Sequence, residues 1–291
     1  MRKEVFKKFL TTEYAYITPK GEPLCWPVTP YWNESESRPA IATGLAYPNK
    51  ADYAKSNPKV ALLYSDPKGS GMTDPPRVLV QGDAIVFDQD LQENADRYVQ
   101  EIRSRFPIAR LALNNLTVKW LDFYIPRLWV EIVPRSIQEL PPPMPPSSGS
   151  TPAPGESALS PADSLNLKRT VEDFDHAVLT TIDDDGYPSP RKVEVSWNEG
   201  SLSVGGSHAD GPACITFHRH SLGAVRLEAH LVRGEIEEGR FKPRRLVGFF
   251  GNGFVFPLSV LPEAKRLRKR LKSELTRRGK VMPLLRIPDG R

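Results

Sequence analysis

The sequence predicts a mainly β protein, built as two small β-barrels in tandem with a few helices. Three observations predict it. First, residues 17–34 read ITPKGEPLCWPVTPYWNE and residues 182–199 read IDDDGYPSPRKVEVSWNE, and the two superpose without a gap at an offset of 165. The identical pairs are Ile17/Ile182, Gly21/Gly186, Pro23/Pro188, Val28/Val193, Trp32/Trp197, Asn33/Asn198 and Glu34/Glu199. Second, Leu79-Val80-Gln81-Gly82-Asp83 is echoed by Leu231-Val232-Arg233-Gly234-Glu235. Third, residues 140–163 between the copies are rich in Pro, Ser, Gly and Ala, a composition that cannot bury a core. A repeat this long means two copies of one domain, because solenoids stack more and shorter units. Many short strands in meander order argue for barrels. The expected divisions are a barrel over 1–139, a linker over 140–163, a second barrel over 164–262 and a basic helix with tail over 263–291.

The elements follow in chain order. Residues 2–10 suit a short helix with Val5, Phe6, Phe9 and Leu10 on one side. Residues 14–18 alternate and are aromatic and β-branched, which favours a strand. Lys20-Gly21 turns the chain, and residues 24–32 return as one strand. Pro23, Pro27 and Pro30 cannot donate to a ladder, so this strand belongs at an edge or carries a bulge. Residues 40–44 make a third strand, 51–56 a short helix closed by Asn57-Pro58, and 60–65 a further strand. Residues 77–87 form a long strand whose central Gly82 marks a bulge or close backbone approach. Asp88 or Asp90 caps a helix to about Arg105. Residues 106–118 are ambiguous, 120–125 suit a strand, and 128–137 a firmer one.

The second copy begins with a helix capped by Asp163 or Ser164 and running to about Phe174. Strands follow at 177–182, 191–197 and 202–205. By analogy with the first copy, 212–219 suits a short helix that would carry Cys214; strands at 227–234 and 240–250 close the barrel. Residues 263–278 form a basic helix ended by Gly279, with Leu267, Leu271 and Leu275 as an apolar stripe that docks on a barrel.

Composition bounds the function. The length of 291 residues suits about two domains. A net charge of +5, with much of the excess in the C-terminal segment, reads first as a solvated surface. Cys25 and Cys214 alone exclude a disulfide framework or an unaided zinc site, and a reducing cytoplasm fits. The N-terminus lacks the apolar run of a signal peptide, and no stretch approaches the roughly 18 apolar residues of a membrane span. The expectation is a soluble cytoplasmic protein without a membrane role. No P-loop, Rossmann glycine fingerprint, HExxH or nucleophile elbow is present.

The order of motifs is strand, Asp-Gly-x-Pro, strand, Trp, a third strand, a Lys-bearing helix ending in Asn57-Pro58, and a strand of form V-x-V-x-G-[DE]. This resembles the flavin-binding split β-barrel family, which includes pyridoxamine 5′-phosphate oxidase and the flavin and deazaflavin oxidoreductases. The resemblance covers roughly 10–135 and 165–250. It implies two tandem split β-barrels forming an intrachain pseudo-dimer, with FMN in the groove between them. It also implies a flavin-dependent oxidoreductase acting on a small-molecule substrate. Flavin carries the redox chemistry itself, so no catalytic triad is required. A deazaflavin reductase is a close variant, and a non-catalytic flavin or haem carrier is another reading.

The family's phosphate lysine lies eight residues before the proline of the Asn-Pro pair, which is Lys50 here, with Lys55 also near. A helix start offers N–H groups and a positive dipole end to a phosphate, and a lysine adds charge. By the same resemblance Thr43 and Gly44 border the phosphate, and Trp26, Pro27 and Val28 run beside the isoalloxazine. The second copy departs from the pattern. It has Gly206-Ser207-His208 and then Ala213 where the lysine would stand, and Arg191-Lys192 where the first copy has Trp26-Pro27. Arg191, Lys192 and Ser207 are therefore carried as further cofactor-binding candidates, with one composite site expected to draw on both copies. His218 and His220 share a face only if they lie on a strand, which keeps a metal or haem role open; no partner ligands stand near them in sequence. His176 and His230 read as core-edge residues. Nucleic-acid binding by the basic helix is disfavoured, since no aromatics interleave with its charges. The chain is expected as a monomer with paired barrels, or as a homodimer.

Overall fold

The computed structural model describes residues 2–143, 159–174, 177–198, 201–221, 227–250 and 264–287. The middle of the 140–163 linker, and His176, lie outside the described residues.

The first barrel contains α1 (Arg2–Lys8), β1 (Thr12–Ile17), β2 (Pro23–Val28), β3 (Pro30–Asn33), β4 (Arg38–Gly44), α2 (Asn49–Ser56), β5 (Lys59–Tyr64), β6 (Arg77–Phe87), α3 (Leu91–Arg105), α4 (Pro107–Ala112) and β7 (Arg127–Leu140). Its seven strands pair in the order β2-β1-β5-β6-β7-β4-β3, all antiparallel. Thr29 alone separates β2 from β3, yet they stand at opposite ends of that order. The sheet therefore curls round until its ends meet, a split β-barrel. The proline-rich segment expected as one edge strand is two edge strands, broken where Pro30 removes a donor.

The second barrel contains α5 (Pro161–Asp173), β8 (Ala177–Ile182), β9 (Pro188–Val193), β10 (Val195–Asn198), β11 (Ser201–Val204), β12 (Gly211–His220), β13 (Leu227–Glu237) and β14 (Arg240–Phe250). The sheet β14-β13-β12-β8-β9 matches β7-β6-β5-β1-β2 element for element, with β10-β11 as a separate ribbon. Gly21 and Gly186 turn the two equivalent hairpins at φ 77° and 78°, a region that favours glycine. Gly82 and Gly234 sit at equivalent register shifts. A Cβ on either would lie 2.2 Å from a backbone oxygen, that of Val133 or that of Lys242, so only glycine fits.

Three expectations change. Residues 212–219 are not a helix but the middle of β12: Ala213, Ile215 and Phe217 face the second core while Cys214, Thr216 and His218 face the first barrel. Alternation of this kind is strand periodicity. Residues 120–125 are not a strand: 120 and 121 end a 3₁₀ turn over Thr117–Leu121, and turns follow. Ser160, rather than Asp163 or Ser164, caps α5, accepting from the Asp163 N–H with Pro161 at the first position.

Each barrel has its own core. A third cluster joins them, with Ala15, Cys25, Ala61, Leu63 and Leu79 from the first barrel against Val178, Cys214 and Leu231 from the second. The polar bonds across it echo the repeat. Gln81 donates to Asp183 (2.6 Å) and to the Pro188 carbonyl (3.0 Å), in the second hairpin; its counterpart Arg233 pairs with Glu22 in the first hairpin at 2.8 Å. The two barrels thus form a pseudo-dimer within one chain. The closing helix α6 (Ala264–Arg278) buries Ala264, Leu267 and Leu271 on the first barrel and ends at Gly279, φ 61°.

Candidate functional site

The first barrel brings Trp26, Lys50, Gly44 and Arg127 into one neighbourhood. Trp26 pairs with Tyr14 across β2 and β1. The Tyr14 hydroxyl donates to the Lys50 carbonyl at 3.5 Å, which places the first turn of α2 over that face. The Lys50 ammonium stands over the Trp26 ring, 5.7 Å from its centroid. The start of α2, at Pro48, carries no side-chain cap, leaving the positive end of the helix dipole open. Burial pushes the Lys50 amine down to about 8, and the positive charge of Arg127 adds to that shift.

Arg127 was not legible as a site residue. It lies at the start of β7, paired with Gly44 of β4, and a Cβ at position 44 would sit 3.3 Å from its Nη1. Its guanidinium is buried between the rings of Tyr98 and Tyr124, at 4.1 and 4.0 Å, and donates to the Tyr98 hydroxyl at 2.7 Å. Its Nε is buried without a partner. Burial raises the Tyr98 phenol well above its usual range, so Tyr98 stays neutral beside it. Neither Lys50 nor Arg127 meets a carboxylate at ion-pair distance among the described residues. A buried and a partly buried cation without a counter-charge are costly, and an anion between or beside them lowers that cost.

The remaining candidates fall elsewhere. Pro27 and Val28 are buried along β2. The Thr43 hydroxyl donates to the Tyr47 carbonyl at 3.1 Å, shaping the turn that leads into α2. Lys55 is not brought to Lys50: five residues on, it has rotated to another face of α2, where it pairs with Asp88 at 2.8 Å. In the second barrel Arg191 is exposed and reaches the Ser189 hydroxyl at 3.5 Å. Burial lowers the nearby His208, and the charge of Arg191 adds to it against a hydrogen bond with the Gly205 carbonyl. Lys192 lies on the opposite face of β9, and Ser207 is exposed after β11. Strand β2 packs against β8, β12 and β13, whereas β9 packs against β1, β5 and β6. Among the described residues no hydrogen bond, ion pair or ring contact links Trp26 or Lys50 to Arg191 or His208.

His218 and His220 do share a face, because β12 is a strand. Both rings are buried, and each meets a carboxylate of the first barrel: His218 Nε2 lies 2.7 Å from Glu13, and His220 Nε2 lies 3.1 Å from Asp66. Ser65 donates to the same Glu13 oxygen at 2.7 Å. Burial works to raise the Asp66 carboxyl, but the His220 imidazole beside it and a hydrogen bond from the Lys68 N–H hold it well below the usual range. No group of three or more His, Cys, Asp or Glu side chains suited to a metal occurs among the described residues. Burial raises both thiols, that of Cys214 to about 12, so these interface cysteines are unreactive.

No protein-family model matches the chain, and no curated protein does. Solved structures similar to it include a pyridoxamine 5′-phosphate oxidase-related, FMN-binding protein from Nostoc punctiforme, at 12% identity and a TM-score of 0.33, covering 66% of this chain and 91% of that one. An F420 reductase matches at 14% identity and a TM-score of 0.31, over 47% of this chain and 96% of its own. The haem storage protein HutZ from Vibrio cholerae matches at 14% identity and a TM-score of 0.34, over 47% and 91%. At these values the matches stand as likenesses, and the split-barrel fold rests on the strand order above.

Proposed function

We propose that the chain is a flavin-dependent oxidoreductase that holds FMN at the first barrel, with Lys50 taking the phosphate. The observation that carries this reading is the pair of cations, a buried Arg127 and a partly buried Lys50, with no carboxylate partner, beside an uncapped helix start and the Trp26 ring. The family resemblance supplies the ligand, and this neighbourhood fits its charged end. FMN would supply electron and hydride transfer; the chain's own part is to bind the phosphate, order the ring beside β2 and exclude water from it. In the second barrel residues 205–210 join β11 directly to β12, the counterpart of β5; Ala213 matches Val60 rather than Lys50, α2 has no counterpart there, and this reading assigns one phosphate site, not two.

Haem is the weaker alternative, because His218 and His220 are buried against Glu13 and Asp66 and present no open imidazole face. A deazaflavin remains the variant, since its phosphate would meet the same cations. The test is the visible spectrum of the purified protein together with mass spectrometry of the ligand it releases. A flavin spectrum, lost in Lys50→Ala along with at least tenfold in FMN affinity, supports the reading. Unchanged FMN affinity in that variant, or no binding on reconstitution, overturns it.

A further inference from the structure

One surface of the first barrel combines exposed apolar side chains with a cationic helix, and the site above uses neither. Leu111 is 80% exposed, Leu116 75% and Trp120 68%. They project from a backbone that is held in place. The Asn114 side chain accepts from the Leu116 and Thr117 N–H groups at 2.9 and 3.0 Å, and Arg268 of α6 donates to the Trp120 carbonyl at 3.0 Å. Arg268 also pairs with Asp122 at 2.8 Å, so the acid on this turn is neutralised. Lys265 and Lys272 lie three residues before and four after Arg268, hence on its side of α6, and both are exposed. Lys119 is exposed next to Trp120. None of these three lysines has an acidic partner among the described residues. The one acid of α6, Glu274, is occupied by Arg277 and Arg278.

We propose that this face rests on an anionic phospholipid surface, with Trp120 and Leu116 entering the headgroup layer while Lys119, Lys265 and Lys272 meet lipid phosphates. Indole rings favour the membrane–water boundary, aliphatic side chains gain by entering its apolar side, and each lysine near an anionic leaflet strengthens binding. A second copy of the chain on the same face would set lysine against lysine. A nucleic acid would satisfy the lysines but leave Leu111 and Leu116 in water. No helix among the described residues is long and apolar enough to cross a membrane, so the contact is with the surface alone.

The test is flotation of the full chain with vesicles of phosphatidylcholine, with and without phosphatidylglycerol. The expected result is binding to the mixed vesicles only, weakening as salt rises. Lys265→Gln with Lys272→Gln should lower partitioning about twenty-fivefold, at about fivefold per lysine. Trp120→Ser with Leu116→Ser should lower it as well, with circular dichroism unchanged in both variants. Absence of flotation at low salt, or flotation indifferent to both variants, overturns the proposal. So does binding to duplex nucleic acid without binding to vesicles, or a dimer in light scattering that Trp120→Ser dissolves.

Discussion

The two barrels share a strand order and differ in what they carry at one place. Between β4 and β5 the first barrel inserts α2, which holds Lys50 over Trp26. In the second barrel residues 205–210 alone join β11 to β12, and β12, the counterpart of β5, carries Cys214, Thr216 and His218 to the barrel interface. One barrel thus carries the candidate anion site that the other lacks, while both line the interface. The residues common to both copies, Gly21/Gly186 and Gly82/Gly234, serve turns and bulges; the residues that differ serve the candidate site and the interface.

That division can be broken at its strongest point first. Gly82→Ala and Gly234→Ala should each cost about 3 kcal/mol or more, since the added carbon meets backbone rather than a movable side chain. Chemical denaturation should show similar losses for both, as a shared scaffold requires. If one were neutral, the barrels would not be equivalent there.

Lys50→Met comes next, and its sign is opposite. The folded-state amine titrates near 8, below its unfolded value of about 10.4, so without ligand the folded chain resists the proton that the unfolded chain accepts. Stability without ligand should therefore rise with pH between those values. The methionine variant should be more stable at neutral pH by about 2 kcal/mol and lose the pH dependence in that window. A variant that is both more stable and unable to hold FMN marks Lys50 as a binding residue rather than a structural one.

Asp66→Asn tests the interface. The Asp66 carboxyl is depressed in the folded state, so its contribution is present above the ordinary carboxylate value of about 4 and is lost as pH falls below it. The variant should lose about 1–2 kcal/mol at pH 7 and unfold less steeply in acid, as read by denaturation at several pH values. The smallest effect belongs to Arg191→Ala: an exposed side chain with one long bond to Ser189 should change stability by less than about 0.5 kcal/mol and leave FMN affinity unchanged. A tenfold loss of affinity there would make the site a composite of both barrels.

Much of the fold was legible, because hairpin glycines, alternating strands and the leucine stripe of α6 are local signals. Cys214-Ile215-Thr216-Phe217-His218 also alternates, but analogy with α2 masked the pattern, and the strand emerged only from the structure. At the candidate site, Lys50 and Trp26 stood out through the family resemblance, the lysine by its place eight residues before Pro58. Arg127 did not, since its environment comes from Gly44, Tyr98 and Tyr124, on separate elements. The His218 carboxylate partner was hidden for the same reason, as Glu13 lies 205 residues away.

The bond between Glu13 and His218 has a consequence for how such a molecule can change over time. In a dimer of identical subunits every contact occurs twice, and a substitution alters both halves at once. Here position 13 corresponds to Val178 and position 218 to Ser65, so the acid meets both Ser65 and the histidine that took its place in the other copy. The contact is made once and has no mirror. Joining two barrels in one chain released each from matching the other, and a lopsided lock at the centre is a form that two identical subunits could not have reached.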